Sequence, residues 1–402
     1  MNSSAAIGAA PQPGAHLQSL EVIGLFPDLL GVGGVQEAGR LTAAAISDTV
    51  RESDGQATFL TLNDTPGAHV VDVSGRNVSL RGYGRAKVRF VVSGISQARS
   101  LRKYRANLII AGHPHLALPA MLMRRFAQGL KIIVIAHGIE VWSPLSSSRR
   151  RALLGADVVL APSRFTAQKL NEIQGVPLDK IRVLPWPLST DFLRFTAEPA
   201  ALPLAPDFPS GQIILTVGRW AAPERYKGAD ELIRAVAKLR PSNPDLQLVA
   251  VGGGDDLPRL VELAASQGVS GCVHFFPGLS REQIAASYSR ADIFALPSTG
   301  EGFGLVFLEA MAFAKPVVGV AFGGTMDVVD HGVNGLLVPP RDPQHLSEAL
   351  SQLLKDEPLR ARLGQAGAEI VRAKYCFERF RENLQRIVGE CISTGTERRP
   401  LI

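Results

Sequence analysis

The feature that most constrains this chain is an alternation that occurs twice. Short runs rich in β-branched residues, EVIGLF at 21, ATFLTL at 57, NLIIAG at 107, KIIVIAHG at 131, ADVVLAPS at 156 and KIRVLPW at 180, are separated by stretches with helical spacing such as VQEAGRLTAAAISDTV and RFTAQKLNEIQ. After residue 211 the pattern restarts with QIILTVGRW, LQLVAVGGG, CVHFFPG, DIFALPS, PVVGVAF and GLLVPP. Apolar runs of this kind alternating with helices predict parallel sheets covered by helices. Between the two series lies PLSTDFLRFTAEPAALPLAPDFPSG, residues 187 to 211, with five prolines and no clear period, which reads as a linker. The expected fold is therefore α/β, with two doubly wound Rossmann-like domains facing a cleft. Its parts are a loose lead over 1–19, a first domain over 20–187, a linker over 188–211 and a second domain over 212–375. The last helical run, 376–402, either belongs to the second domain or crosses back to brace the first.

Composition agrees with large cores: 46% of the 402 residues are hydrophobic and only 20% charged. Cys272, Cys376 and Cys391 lie far apart, fit no zinc spacing and are too few for a disulfide framework, which points to a reducing compartment. The N-terminus lacks the basic start and apolar run of a signal peptide, and no segment reaches the roughly 18 apolar residues of a membrane span. A cytoplasmic location follows as the expectation. Charge is uneven: residues 1–187 hold 21 Lys and Arg against 12 Asp and Glu, a balance of +9, whereas 188–402 hold 22 against 25, a balance of −3. The excess concentrates in RGYGRAKVRFVVSGISQARSLRKYR, residues 81–105, which has eight basic residues and no acid. Val88, Val91, Val92 and Ile95 recur in it near helical spacing. It reads either as an amphipathic helix suited to an anionic membrane surface or acceptor, giving a peripheral location, or as a basic solvated helix face. Its aromatics are too sparse to stack on nucleic acid.

In open parallel sheets ligands bind beyond the carboxyl ends of the strands, so the useful residues should stand just after strands and face the cleft. After DIFALPS comes TGEGFG and then the helical LVFLEAMAFA. A helix start offers unpaired N–H groups and a partial positive charge to an anion, so the amides of Phe303, Gly304, Leu305 and Val306 are candidate phosphate or sugar donors. Glu309 lies four residues after Leu305, on the same helical face, where a carboxylate can accept two hydrogen bonds from vicinal ribose hydroxyls. Glu301 precedes the glycines and points to the other side of the phosphates. The bland alternative for both is a surface glutamate and a carboxylate balancing the helix dipole. Arg219 follows QIILTV and Lys227 precedes a helical run, so the pair can neutralise a diphosphate without a metal ion, or be a solvated surface pair. The chain has no Asp-x-Asp, and His113-Pro114-His115 has no nearby third ligand, so no metal site is expected. Gly33 and Gly34 open a second phosphate-approach loop, although neither G-x-G frame in the chain completes a dinucleotide fingerprint. His113 and His137 follow strands, as proton carriers or as hydrogen-bonded core residues.

Taken together, GVGGVQ, HGIEVW, APSRFTAQKL, VGRW with YKG, VGGGDD, LPSTGEGFGLVFLEAMAFAKPVV and GGTMDVVDHGVNGLLVPP resemble the retaining glycosyltransferases of family 4, which share the GT-B fold. HGIEVW is similar to the matching element of phosphatidylinositol mannosyltransferases and other lipid-directed enzymes. The resemblance implies that Arg219 and Lys227 hold the diphosphate of a UDP- or GDP-linked sugar and Glu309 its ribose. It implies that Glu301 and the backbone of Phe303 and Gly304 meet the transferred sugar, and that the amides of Leu305 and Val306 meet the phosphates. Gly33 and Gly34 would close over the donor, and His137 would lie near the anomeric carbon or the acceptor. The implied function is metal-independent, retaining transfer of mannose or glucose to a glycan or lipid-linked acceptor, with no cofactor. A catalytically silent sugar-nucleotide-binding subunit is the competing reading. Two departures stand out: Arg219 and Lys227 are eight residues apart, separated by WAAPERY, and Asp327 stands where the family usually has a glutamate.

Overall fold

The computed structural model describes residues 19–101, 106–127 and 129–393. Two sheets form its frame. The first holds β1 (Leu20–Phe26), β2 (Gln56–Thr61), β3 (Gly67–Val73), β4 (Arg76–Gly82), β5 (Ala106–Ala111), β6 (Lys131–Ile135), β7 (Val158–Ala161) and β8 (Ile181–Val183), in the order β3-β4-β2-β1-β5-β6-β7-β8. The second holds β9 (Gln212–Val217), β10 (Leu246–Val251), β11 (Val273–Phe276), β12 (Ile293–Leu296), β13 (Val317–Val320) and β14 (Gly335–Val338), in the order β11-β10-β9-β12-β13-β14. Every pairing is parallel except β3 with β4. Adjacent residues Val22 and Ile23 of β1 are 2% and 1% exposed and belong to cores on opposite faces, which is why such strands read as unbroken apolar runs. In each sheet the strand order reverses beside the first strand, between β1 and β5 and between β9 and β12.

Two sequence expectations change. The β3–β4 hairpin was not among the expected strands. Its outer face is solvated, so it alternates exposed and buried residues, and its turn is Ser74-Gly75, both with positive φ, 56° and 80°. The basic stretch 81–105 is not one amphipathic helix. Arg81 ends β4, a helix runs over Lys87–Ser100, and residues 102–105 lie outside the described residues. That helix buries Phe90, Gly94 and Ala98 with Val91 and Ile95 beside them, whereas Val88 and Val92 are 77% and 59% exposed. The proline-rich linker is anchored at its start. The Leu188 N–H donates to the Tyr375 carbonyl at 2.9 Å, Ser189 caps a short helix over Thr190–Arg194, and Phe192 is buried against Tyr288 and Phe313.

The last helix, Phe377–Ser393, lies on the helix Gly34–Glu52 and on β5. Arg381 reaches Glu52 at 2.5 Å, and the Arg76 guanidinium sits 4.3 Å over the Phe377 ring. Among the described residues no helix is long and apolar enough to cross a membrane.

Candidate active site

The second domain supplies a charged wall. Beyond β9 the chain passes Gly218 and Arg219, then coils into a 3-10 turn over Ala222–Lys227, kinked at Glu224. Gly228, at φ 79°, ends this turn and starts the helix Ala229–Leu239. The turn absorbs the long spacing between Arg219 and Lys227. Lys227 Nζ lies 3.2 Å from Glu301 Oε1, with both side chains largely covered, at 16% and 14% exposure. Glu224 sits between the cations: one oxygen accepts from Arg219 Nη2 and the other is 4.0 Å from Lys227 Nζ. Arg219 itself is 73% exposed on the side away from this ion pair.

After β12, the segment EGFG leads into the helix Leu305–Ala312. Gly304 takes φ 95°, a conformation that favours glycine. Phe303 is buried edge-on to Tyr375 at 5.8 Å, so only its backbone is available to a ligand. The Phe307 N–H donates to the Gly304 carbonyl at 3.0 Å, whereas the amides of Leu305 and Val306 lie too near the helix start to have an acceptor within it. Glu309 does not stand alone on its face: the fully buried Tyr288 donates its hydroxyl to Glu309 Oε2 at 2.7 Å. Although Glu309 is only partly buried as a residue, burial of its carboxyl pushes the pKa up to about 6; the Tyr288 hydrogen bond opposes the rise, Glu37 adds to it and Arg281 opposes it.

The first domain supplies a wall of stacked rings. His137 Nε2 is 2.8 Å from the Gly112 carbonyl, which can only accept, so Nε2 carries the proton and Nδ1 of the neutral ring is bare. Its backbone N–H donates to Glu140 at 2.6 Å. The ring stacks between His113, at 5.7 Å, and Trp186, at 5.6 Å. Burial, then the neighbouring His137, His115 and Arg149, hold His113 down at about 3, so it is neutral in ordinary buffers. His113 accepts from the His115 N–H, and among the described residues no group of three His, Cys, Asp or Glu is arranged to hold a metal ion. Gly33 and Gly34 sit at the exposed start of the helix Gly34–Glu52, Gly33 at φ 148°. Their loop is held from beneath, where Asp64 accepts from the amides of Leu29 and Leu30 and Arg40 donates to the Leu29 and Gly31 carbonyls.

The walls touch through backbone. A Cβ on Gly302 would come within 2.0 Å of the His137 carbonyl oxygen, and one on Gly138 within 2.4 Å of Gly302 Cα. Gly302 thus admits the opposite domain rather than a ligand, and it places His137 beside Glu301. Around this point Ser163 donates to the Gly302 carbonyl at 2.8 Å, and Asp327 accepts from the Arg164 N–H at 2.9 Å and from its guanidinium at 2.5 Å. Trp142 and Phe165 of the first domain cluster with Phe322 of the second. Arg281 of the second domain reaches Glu37 of the first at 3.5 Å, next to Glu309. Sequence reasoning missed Tyr288, Arg281, Ser163 and Arg164. Only Ser163 carried a visible signal, as the first residue of an S-x-x-T cap before a helical run.

Comparison with known proteins covers both halves. Residues 207–370 match the family described as Glycosyl transferases group 1, and residues 43–192 match Glycosyltransferase Family 4. The chain is 36% identical over 266 residues to a GDP-mannose-dependent alpha-(1-6)-phosphatidylinositol monomannoside mannosyltransferase of Mycolicibacterium smegmatis, with 63% of this chain and 68% of that protein covered. It is 36% identical over 260 residues to a D-inositol 3-phosphate glycosyltransferase of Corynebacterium jeikeium, with 61% of this chain and 60% of that protein covered. A D-inositol 3-phosphate glycosyltransferase of Salinispora arenicola is 40% identical over 192 residues, 46% of this chain and 42% of its own length. The chain thus spans about 42% to 68% of the length of these relatives. Among solved structures, a sucrose-phosphate synthase from Thermosynechococcus elongatus superposes with TM-score 0.73 at 22% identity, over 94% of this chain and all of that one. HepE of Anabaena, solved with UDP, gives TM-score 0.70 at 19% identity, over 92% of this chain and all of that one. At such identities the likeness is one of fold, the two-domain GT-B architecture. With both halves matched and a relative this similar, the chain belongs to the family 4 glycosyltransferases.

Proposed function

We propose that the protein transfers a hexosyl group, mannose or glucose, from a nucleoside-diphosphate sugar to a glycan or lipid-linked acceptor, with retention of configuration and without a metal ion. The observation that carries this reading is the convergence of Arg219, Lys227 and Glu301 with the helix start at Gly304, at the point where the two domains meet. The two cations and the helix amides would neutralise the charge that develops on the leaving diphosphate, which is the largest electrostatic demand of the reaction. Glu309, with one oxygen held by Tyr288, would offer the other to ribose hydroxyls. Glu301 is engaged by Lys227 rather than poised as a covalent nucleophile, which favours attack by the acceptor on the face the diphosphate leaves. The mannosyltransferase relative favours GDP-mannose as donor, and both groups of relatives favour an inositol-containing, phosphorylated acceptor.

Incubation with UDP- and GDP-sugars and a panel of such acceptors, in EDTA, tests this. Acceptor-dependent release of nucleoside diphosphate is expected. Strict metal dependence, or donor binding without turnover on any acceptor, contradicts it, and the latter outcome favours the silent-subunit reading.

An anionic membrane surface is part of the proposal. The neighbouring helices Lys87–Ser100 and Ala117–Arg124 leave Val88, Val92, Leu118 and Leu122 exposed beside Arg85, Lys87 and Arg89. Vesicles rich in anionic lipid should bind the protein and high salt should release it; equal binding to neutral vesicles contradicts the electrostatic part.

A further inference from the structure

Glu224 has no place in the chemistry derived so far, yet it is the most enclosed acid beside the two cations. Its side chain is 12% exposed, its two oxygens face Arg219 and Lys227, and charge alternates along Arg219, Glu224, Lys227 and Glu301. The turn that carries it does not depend on it for shape. Arg225 is held by Asp256 at 2.7 Å, the Ala222 N–H by Asp255 at 2.9 Å, and the Tyr226 carbonyl accepts from the Thr299 N–H at 2.8 Å. Backbone leaves the 3-10 conformation at Glu224 itself, aiming the side chain back across the turn.

A covered carboxylate on two cations is the arrangement of an anion site filled from within. A diphosphate competes for the same donors with more charge and more oxygens in the fork geometry that guanidinium prefers. Resting on the functional reading above, we propose that Glu224 is an internal counter-anion: it pairs with Arg219 and Lys227 while the donor site is empty, yields as the diphosphate arrives, and returns as the nucleoside diphosphate leaves. The exchange makes and breaks ion pairs only. It keeps the cations ordered and shielded from stray phosphate, and it speeds product departure at the expense of affinity. Glu301 does not duplicate this role, because it reaches Lys227 alone and stands on the sugar side of the glycines.

The test is calorimetric titration of GDP and UDP, in EDTA, into the full chain and its Glu224→Gln variant, with the thermal midpoint and stopped-flow dissociation measured on both. Gln keeps the shape and removes the charge. The variant should bind the nucleotide that wild type binds about tenfold tighter, the effect of removing one partly screened like charge, and release it more slowly. Unchanged or weaker binding by a folded variant, where wild type binds, overturns the counter-anion role alone. If Gln unfolds the turn, Glu224→Asp withdraws the charge by one methylene and should also tighten binding, by a smaller factor; weaker binding there overturns the role equally. Wild-type protein that binds neither nucleotide overturns the functional reading and this inference with it.

Discussion

The two walls of the cleft are made of different material. The first domain presents stacked rings, His113, His137 and Trp186, with His137 Nε2 on the Gly112 carbonyl and His113 Nδ1 accepting from the His115 N–H. The second presents Arg219, Glu224, Lys227 and Glu301, four charges in alternation, three of them largely covered. Stacked rings pinned to backbone hold one geometry and suit positioning, whereas ion pairs that can be exchanged for a polyanion suit binding and release. Donor affinity should therefore reside in the charged wall and geometric precision in the stacked one.

The strongest way to break this division is at the point where the walls touch. In Gly302→Ala the new methyl meets the His137 carbonyl, so the domains must separate. Turnover should fall by roughly 100-fold, the scale of a misplaced reacting group, while nucleoside diphosphate binding to the charged wall changes little. Comparable losses in both would show that the walls act as one unit.

Glu309→Gln sharpens the comparison with a smaller effect. Donor affinity should fall about tenfold while turnover at saturation is nearly kept, the pattern of lost uniform binding. Stability should move the other way. The folded-state pKa of about 6 lies above the ordinary 4.5, so Glu309 favours the fold only while protonated, and that contribution is lost as pH rises through about 6. The Gln variant should therefore be more stable than wild type above pH 6, by up to about 2 kcal/mol, with the advantage vanishing below the ordinary value. Thermal midpoints across pH 4 to 8 check this; a variant less stable at pH 8 would show that the carboxylate is held by more than Tyr288.

The charged wall was legible in the sequence because its parts are local. Arg219 and Lys227 flank one turn, Glu301 and Glu309 lie in one twelve-residue stretch, and helical geometry alone puts Glu309 on the face of Leu305. What stayed hidden depends on distant segments. Ser163 meets Gly302 across 139 residues and Arg164 meets Asp327 across 163, so no spacing rule could pair them. Nor could the sequence say what Gly302 makes room for, since a glycine admits a ligand or an opposing backbone equally. The alternating sheets were plain from burial on both faces, but the β3–β4 hairpin, solvated on one face, lacked the apolar run that marked the others. Asp327, one methylene shorter than the family's usual residue, still finds a partner because Arg164 reaches to it from the first domain.

The proposed seat of the donor diphosphate is the charged wall of the second domain. Calorimetric titration of GDP and UDP into wild type, Lys227→Ala and His137→Ala, in EDTA, tests it most directly. Lys227→Ala should lose at least about tenfold in affinity, as expected for a charge-assisted phosphate contact, while His137→Ala should bind like wild type. Equal binding by wild type and Lys227→Ala, or a larger loss in His137→Ala, would contradict it.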